Sequence, residues 1–355
     1  MEYKMLIINL GSTSTKIAVY ADLEEKLTVS INHSQDELDN FKDIWEQKDF
    51  RKEKILNTLK ENGYNLKDFD IIACRGGNVK PIPGGTYLLN KEMLADMRSE
   101  KYGAHPTNVG NHIAYELGNE AGIPVIFADP PVTDEFCNLA RYSGIKEIPR
   151  ISSGHALNQK RTGRKIAKEL GKEYTDMNFI IVHMGGGISV GAHERGLIID
   201  MNNALDGDGP FSPERAGTVP TGDLIKMCFS GEYTEKEVMK KIRGGGGLMS
   251  YLGTNSGLQV EERIKNGDSY ALEVFEAMAY QVSKEIAAAS AVLKGKVDAV
   301  ILTGSLAHSK KLTNWIKERT GFIAPIYLCP GENEMISLAE NALRYLKGEE
   351  KAKQY

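Results

Sequence analysis

Three small-residue turns stand directly after apolar strands: Gly11–Thr15, Gly185–Gly187 and Gly304–Ser305. With no side chain in the way, backbone N–H groups in such turns can approach phosphate oxygens and donate to them. Hairpins also demand glycine, but three such turns at strand ends point to a nucleotide. No Gly-x-x-x-x-Gly-Lys-Ser/Thr sequence occurs, which excludes the P-loop solution. No Gly-x-Gly-x-x-Gly runs from a strand into a helix, which counts against a dinucleotide fold. Charged residues gather at other strand ends. Arg75 closes Ile71–Cys74 and precedes two glycines, a costly place for a guanidinium without an anionic partner. Asp129 ends Val125–Ala128, and His155 sits in Ser-Ser-Gly-His ahead of a helix. Glu332 and Glu334 bracket Asn333 between a strand and a helix. Singly, each has a structural reading: Arg75 paired with a carboxylate, Asp129 capping a turn, His155 a satisfied histidine. Converging at strand ends in an α/β pattern, they are better explained by a shared cleft.

The elements that must position these residues show an internal echo. Residues 6–19 and 180–192 each read as an apolar strand, one polar residue, a small-residue turn and a second strand. Asn9 and His183 take the same place, about half a chain apart, so one fold unit is expected twice. Asp70–Cys74, Val125–Ala128, Val297–Leu302 and Ile323–Leu328 read as further strands, the last two fully buried. Helices are expected from Pro106 to Gly122, Asn158 to Leu170 and Ser269 to Leu293. The last carries Leu272, Phe275, Ala279, Val282, Ile286, Ala289 and Leu293 on one buried stripe. A final amphipathic helix carries Met335, Leu338, Ala342 and Leu346. The charged helix around Asp43–Asn62 reads as solvated. Gly244–Gly247 reads as flexible linkage, a hinge, a ligand contact or an idle surface loop. Strand–helix alternation gives an α/β protein of two domains, 1–150 and 151–355, divided where Pro149 and Ser152-Ser153-Gly154 interrupt the pattern. The final helix is a candidate to pack back on the first domain.

Composition removes several function classes. The 355 residues carry 44 basic and 48 acidic side chains, which gives no general pull toward nucleic acid. Apolar runs such as 297–302 are strand-sized, far short of a membrane span. No cleavable leader pattern precedes the first strand, so a cytoplasmic protein is expected. Cys74, Cys137, Cys228 and Cys329 are scattered singly, with neither a disulfide framework nor a zinc spacing.

Nine segments together resemble one family. They are Asn-Leu-Gly-Ser-Thr-Ser-Thr-Lys (9–16), Arg-Gly-Gly (75–77), Gly-Ala-His-Pro (103–106), Phe-Ala-Asp-Pro-Pro (127–131) and Ser-Ser-Gly-His-Ala-Leu-Asn (152–158). His-Met-Gly-Gly-Gly (183–187), Pro-Glu-Arg-Ala-Gly (213–217), Leu-Thr-Gly-Ser-Leu-Ala-His (302–308) and Pro-Gly-Glu-Asn-Glu (330–334) complete the set. Spanning nearly the whole chain, they look like the butyrate kinases. These stand with the acetate kinases in the sugar kinase, heat-shock-70 and actin superfamily. The resemblance implies a duplicated ribonuclease-H-like, actin-like ATPase fold with ATP in the cleft between domains that close over the substrate. The implied reaction is ATP plus butyrate giving ADP plus butyryl phosphate, reversible and magnesium-dependent.

Carried over position by position, the resemblance implies that Asn9 and Glu334 belong to the magnesium site, with Glu332 the alternative two residues away. Lys16, in the turn with Gly11, Ser12 and Thr13, matches a nucleotide-phosphate contact. Arg75 resembles the arginine that holds the carboxylate or acyl phosphate, and His105 a further histidine on the substrate side. Asp129 matches the family's acid–base aspartate, and His155 the histidine that stabilises the phosphoryl group in transfer. His183 with Gly185, Gly186 and Gly187 matches the second phosphate turn, and Gly304 with Ser305 the turn against the adenosine half of ATP. One departure stands out: acetate kinases carry a second arginine in Gly-Thr-Arg-Ser-Gly-Asp, where this chain has Gly217-Thr-Val-Pro-Thr-Gly-Asp223 with Pro220 in its place. Arg215 is the candidate to supply that charge.

Rival expectations follow from the same residues. Acetate, propionate or isobutyrate could be the acceptor, because a hydrophobic pocket separates one methylene by only about 1–3 kcal/mol. A nucleotide-switched actin-like protein would make no acyl phosphate, and a sugar kinase would need a general base for a hydroxyl. By resemblance, the chain is expected to form a homo-oligomer, dimeric or larger, and to need neither nucleic acid nor membrane.

Overall fold

In the computed structural model, which describes residues 2–355, the first glycine turn joins β1 (Lys4–Leu10) to β2 (Ser14–Ala21). β3 (Glu24–Asn32) adds antiparallel to β2. β4 (Ile71–Arg75) and β6 (Val125–Ala128) follow in parallel on the other side of β1, and β5 (Thr86–Leu88) runs antiparallel at the edge. The strand order is β3-β2-β1-β4-β6-β5. A second sheet contains β7 (Asn178–Met184), β8 (Ile188–Glu194), β9 (Leu197–Met201), β10 (Ala299–Gly304) and β11 (Ile326–Pro330), in the order β11-β10-β7-β8-β9. Both therefore build an antiparallel three-strand meander and extend it with two parallel strands.

The equivalence reaches individual atoms. Asn9 pairs with Lys16 across the first hairpin, and His183 pairs with Ser189 at the matching place in the second. Each meander bulges at the same step, Val19/Tyr20 and Ala192/His193. The aspartate before the first parallel strand clamps the start of the hairpin twice over. Lys4 N–H donates to Asp70 Oδ2 at 2.7 Å, as Asn178 N–H does to Asp298 Oδ2 at 2.7 Å. Asp70 and Asp298 return their own N–H groups to the Lys4 and Asn178 carbonyls. The fold unit is present twice.

Contacts divide the chain into residues 1–133 with Asn333–Tyr355, and Asp134–Glu332. The segment 134–150 thus packs with the second unit, not with the first as the Pro149 interruption suggests. Glu135 explains this: its carboxylate takes Lys160 Nζ at 2.8 Å and the Ile198 N–H at 2.8 Å, and both its side chain and that of Lys160 are 4% exposed. The helix Glu334–Leu346 packs on β1, β4 and β6. After it, Glu350 accepts the Thr86 N–H, Lys353 N–H donates to the Thr86 carbonyl, and the Tyr355 hydroxyl donates to Asp96.

In unit one, the core lies between the sheet and helices Lys48–Glu61, Lys91–Ser99 and Pro106–Ala121. Gly118 lets the last of these close on β6, since a Cβ there would stand 2.1 Å from Val125 Cγ2. In unit two, the helix Ser269–Val292 buries Val274, Phe275, Met278, Val282 and Ile286 against β7 and β8, with Leu272 only half-buried beside that stripe. β11 is also less buried than its apolar run suggests; it is the sheet edge, and Leu328 is exposed there. The charged helix Lys48–Glu61 is not wholly solvated: Arg51, Ile55 and Leu59 are buried. Among the described residues, no helix is long and apolar enough to cross a membrane.

Candidate active site

In unit one, Asn9, Arg75 and Glu334 meet at the ends of β1, β4 and the following helix. Asn9 Nδ2 donates to Glu334 Oε2 at 2.7 Å, and Arg75 Nη1 lies 3.2 Å from Glu334 Oε1. The residue that joins them is therefore Glu334; Glu332 belongs to the other unit. The carbonyl of Arg75 accepts from Asn111 Nδ2 at 2.9 Å, which anchors the backbone under the guanidinium. Lys16 is the cross-strand partner of Asn9, and such partners project to the same face of a sheet.

The Gly11–Thr15 turn is built around a residue the sequence reading passed over. Arg51 is wholly buried, and its Nη1 donates to the Gly11 and Ser14 carbonyls at 2.9 and 3.0 Å, its Nη2 to the Ser12 carbonyl at 2.7 Å. Gln47 Oε1 takes its Nε at 2.9 Å. Carbonyls drawn inward to one cation leave Ser12 and Thr13 exposed at the tip of the turn. The cue was available: an arginine amid the Ile55 and Leu59 spacing of an otherwise charged helix. Arg51→Ala removes the donor shared by three carbonyls and opens a cavity, so it is expected to cost about 3 kcal/mol or more of stability, read as a fall in denaturation midpoint.

Asp129 is buried, with φ 43°, and its Oδ1 accepts the Gly85 N–H at 2.7 Å while its own N–H donates to the Gly85 carbonyl. The carboxylate therefore ties the loop after Arg75-Gly76-Gly77 to the end of β6. His105 caps the helix Pro106–Ala121, its Nδ1 accepting the Thr107 N–H at 3.2 Å. Burial, with Arg75 adding repulsion, lowers its pKa to about 4. It is thus neutral at pH 7, with Nδ1 taken up by the cap. Because the unfolded chain takes up this proton first as pH falls, His105 contributes stability present above about pH 6.5 and lost between about 6.5 and 4. Denaturation of His105→Asn at pH 7 and pH 5 should show a shallower pH slope than the parent, by up to about 1.4 kcal/mol per pH unit.

In unit two, the rings of His155 and His183 stack with centroids 3.8 Å apart at 12°. His155 Nδ1 bonds Ser189 Oγ at 2.9 Å, and His183 Nδ1 bonds Asn158 Oδ1 at 2.9 Å. Asn158 Nδ2 in turn donates to the Glu332 carbonyl at 2.7 Å, so its amide oxygen faces His183 as an acceptor. Gly304, at φ 88°, abuts the end of β7: a Cβ there would stand 2.4 Å from the Met184 carbonyl oxygen. The Gly304–Ser305 turn and the Gly185–Gly187 turn are thereby neighbours.

The Pro213-Glu-Arg-Ala-Gly loop folds onto that same turn. Ser212 Oγ donates to the Gly186 carbonyl at 2.6 Å, and Glu214 N–H to the same oxygen at 3.2 Å. Arg215 Nη1 lies 3.4 Å from Glu214 Oε2, while its Nε is buried with no hydrogen-bond partner. Pro220 is exposed and opens the helix Thr221–Cys228, so it takes no part in this packing. Gly244–Gly247 forms the loop's floor: the Leu248 N–H donates to the Ser212 carbonyl, and a Cβ on Gly247, at φ 63°, would lie 1.6 Å from that oxygen. Gly245, Gly246 and Gly247 serve close approach of backbone to backbone, not flexible linkage.

Among the described residues, no cluster of three His, Cys, Asp or Glu side chains could hold a metal by itself. Asn9 with Glu334 does fit magnesium, which is commonly bound through one or two carboxylates together with substrate phosphates.

Comparison with known proteins identifies the family of the chain. Residues 150–314 match the model of the Acetokinase family. Over all 355 residues, and over the full length of both chains, the sequence is 50% identical to butyrate kinase 2 of Clostridium acetobutylicum. It is 49% identical to a probable butyrate kinase of Clostridium botulinum, again end to end. The structure resembles the acetate kinase of Porphyromonas gingivalis with a TM-score of 0.79 at 17% identity, covering 96% of this chain and 99% of that one. For the propionate kinase of Francisella tularensis the TM-score is 0.77 at 18% identity, covering 96% and 98%. These two establish the fold as the actin-like ATPase type, in keeping with the doubled sheet. The end-to-end identity establishes the family: the chain belongs to the butyrate kinases within the acetokinase family.

Proposed function

We propose that this protein transfers the γ-phosphoryl group of ATP to butyrate, giving butyryl phosphate and ADP, and runs the reaction in both directions. The observation that carries this reading is the 50% identity to butyrate kinase 2 over the whole of both chains. Bringing a triphosphate and a carboxylate together opposes two anions, so catalysis is mostly positioning and charge stabilisation. The acceptor is already ionised at neutral pH, and no base is needed to activate it. That matches the geometry of Asp129, whose buried carboxylate holds the Gly85 backbone.

Arg75 presents a planar fork suited to a carboxylate or acyl phosphate. Its partner Glu334 is displaceable: the pair is partly exposed, and such pairs hold one another weakly. Asn9 and Glu334 would hold magnesium, which supplies positive charge beside the phosphate oxygens. Lys16 with the Gly11–Thr15 turn, and His183 with the Gly185–Gly187 turn, are the phosphate-binding candidates, and Gly304–Ser305 takes the adenosine side. His155 and Arg215 face the charge spread over the phosphoryl group in transfer. The buried, unpartnered Nε of Arg215 supports an anionic partner for that side chain. Arg215→Ala with unchanged turnover would remove it from this role. The protein works as a homo-oligomer in the cytoplasm.

Trapping acyl phosphate with hydroxylamine tests the reading. ATP and magnesium are supplied with acetate, propionate, butyrate, isobutyrate and valerate in parallel, and the expected peak is at butyrate. A peak at acetate or isobutyrate would change the acceptor and keep the mechanism. ATP hydrolysis with no trapped product would overturn the kinase reading in favour of a nucleotide switch.

A further inference from the structure

Behind His155 runs a buried chain of polar side chains that none of the proposed roles uses. We propose that Ser189, Gln159, His193 and Tyr174 form a positioning relay that holds His155 as the tautomer with its proton on Nε2. The proposal rests on the phosphoryl-transfer role given to His155 above.

The direction of every bond in the chain can be assigned. Gln159 Nε2 lies 3.2 Å from the Ser189 carbonyl oxygen and 2.8 Å from Ser189 Oγ. A carbonyl only accepts, so this end of the amide is the NH2 group and the other end is the oxygen. Gln159 Oε1 sits 2.9 Å from His193 Nε2, which must therefore donate. His193 is fully buried, and burial drives its pKa well below the ordinary value, with Lys160 and Arg164 adding repulsion. The ring is neutral, so its Nδ1 is an acceptor and takes the Tyr174 hydroxyl at 2.7 Å. At the other end, Ser189 Oγ accepts from Gln159, and among the described residues its own hydrogen has one acceptor in reach, His155 Nδ1 at 2.9 Å. A histidine whose Nδ1 accepts carries its proton on Nε2. His183, stacked on it, is set the other way, because its Nδ1–H donates to Asn158 Oδ1.

Two glycines clear the space for this chain. Ser189, Gly191 and His193 share one face of β8, and a Cβ on Gly191 would stand 2.4 Å from Gln159 Oε1 and 2.9 Å from His193 Nε2. Gly163, one turn after Gln159 on the helix Ala156–Glu169, admits the Tyr174 ring, since a Cβ there would be 2.6 Å from Tyr174 Cε2. Gln159, Ser189 and His193 are each 0% exposed, so a break in the chain leaves a buried donor or acceptor unmet. A phosphoryl oxygen is acceptor-only, and a neutral histidine helps it only through an N–H pointed its way. Holding that proton on Nε2 saves reordering during transfer.

Two readouts on the intact enzyme test this. Nitrogen-15 NMR of histidine-labelled protein should show His155 with its proton on Nε2. In Ser189→Ala and Gly191→Ala, this signal should shift toward a tautomer mixture. Their kcat should fall about ten- to hundredfold with KM for ATP within about twofold. Tyr174→Phe, which removes one oxygen at the far end, should give a smaller fall of the same kind and folds as a conservative control. An Nδ1-protonated His155 in the parent enzyme would overturn the relay. So would variants that keep both the signal and kcat, or that lose activity only through KM for ATP. A His155→Ala variant with unchanged kcat would instead overturn the phosphoryl-transfer reading beneath it, which the tautomer signal in the parent enzyme tells apart.

Discussion

Arg75→Ala is expected to lower kcat/KM for the carboxylate about a hundred- to a thousandfold while KM for ATP stays within about threefold. The guanidinium stands at the end of β4 with its backbone pinned by Asn111 and its head against Glu334. A fork held in place on a strand has little ordering left to lose when it takes a planar carboxylate. Its removal withdraws the acceptor's counter-charge and also releases Glu334. Arg75→Lys separates the two effects: it restores the charge but not the fork, and should recover less than tenfold of the loss. Steady-state kinetics with the acid varied at saturating ATP decide the matter. Equal losses toward both substrates would place Arg75 on the nucleotide instead.

The second large effect is expected at His155. His155→Ala should reduce kcat about a hundred- to a thousandfold, equivalent to roughly 3–4 kcal/mol, with ATP affinity little changed. The ring is fixed on two sides, by Ser189 at Nδ1 and by the stack on His183. A donor preorganised in this way acts on charge that develops in the transition state and contributes little to ground-state nucleotide binding. Titrating ATP against the variant by calorimetry separates the cases. Weakened nucleotide binding at undiminished kcat would assign His155 to holding the nucleotide phosphates, the task given to His183.

Much of the architecture can be read from local pattern. The echo between residues 6–19 and 180–192 announces the doubled hairpin, because alternating burial and a glycine turn are properties of a few consecutive residues. The helices follow the same logic, as their stripe and their capping Gly122 are close in sequence. Reading fails where a residue's environment comes from distant segments. The Lys48–Glu61 helix looks solvated by composition, yet Arg51 is buried because the Gly11–Ser14 carbonyls converge on it from 40 residues away. The Pro149 interruption marks a break in pattern. The division of contacts lies earlier, because Glu135 is bound into the second unit by Lys160 and Ile198.

At the candidate site, the sequence by itself determined the kinds of residue: glycines at strand ends, Arg75, Asp129 and His155 beside them, and enough motif to indicate the family. Those follow from chain-local order, since a strand end and the turn after it are adjacent by construction. The tertiary structure alone decided which of them act as partners. Glu334 rather than Glu332 joins Asn9 and Arg75, although two residues separate the candidates and 325 separate Asn9 from its partner. Asp129 emerged as a loop clamp, and Ser189 with Gln159 emerged behind His155, through hydrogen bonds between segments far apart in the chain. Hydrogen bonds form between atoms about 3 Å apart, and in a folded chain that proximity is set by packing, not by sequence separation.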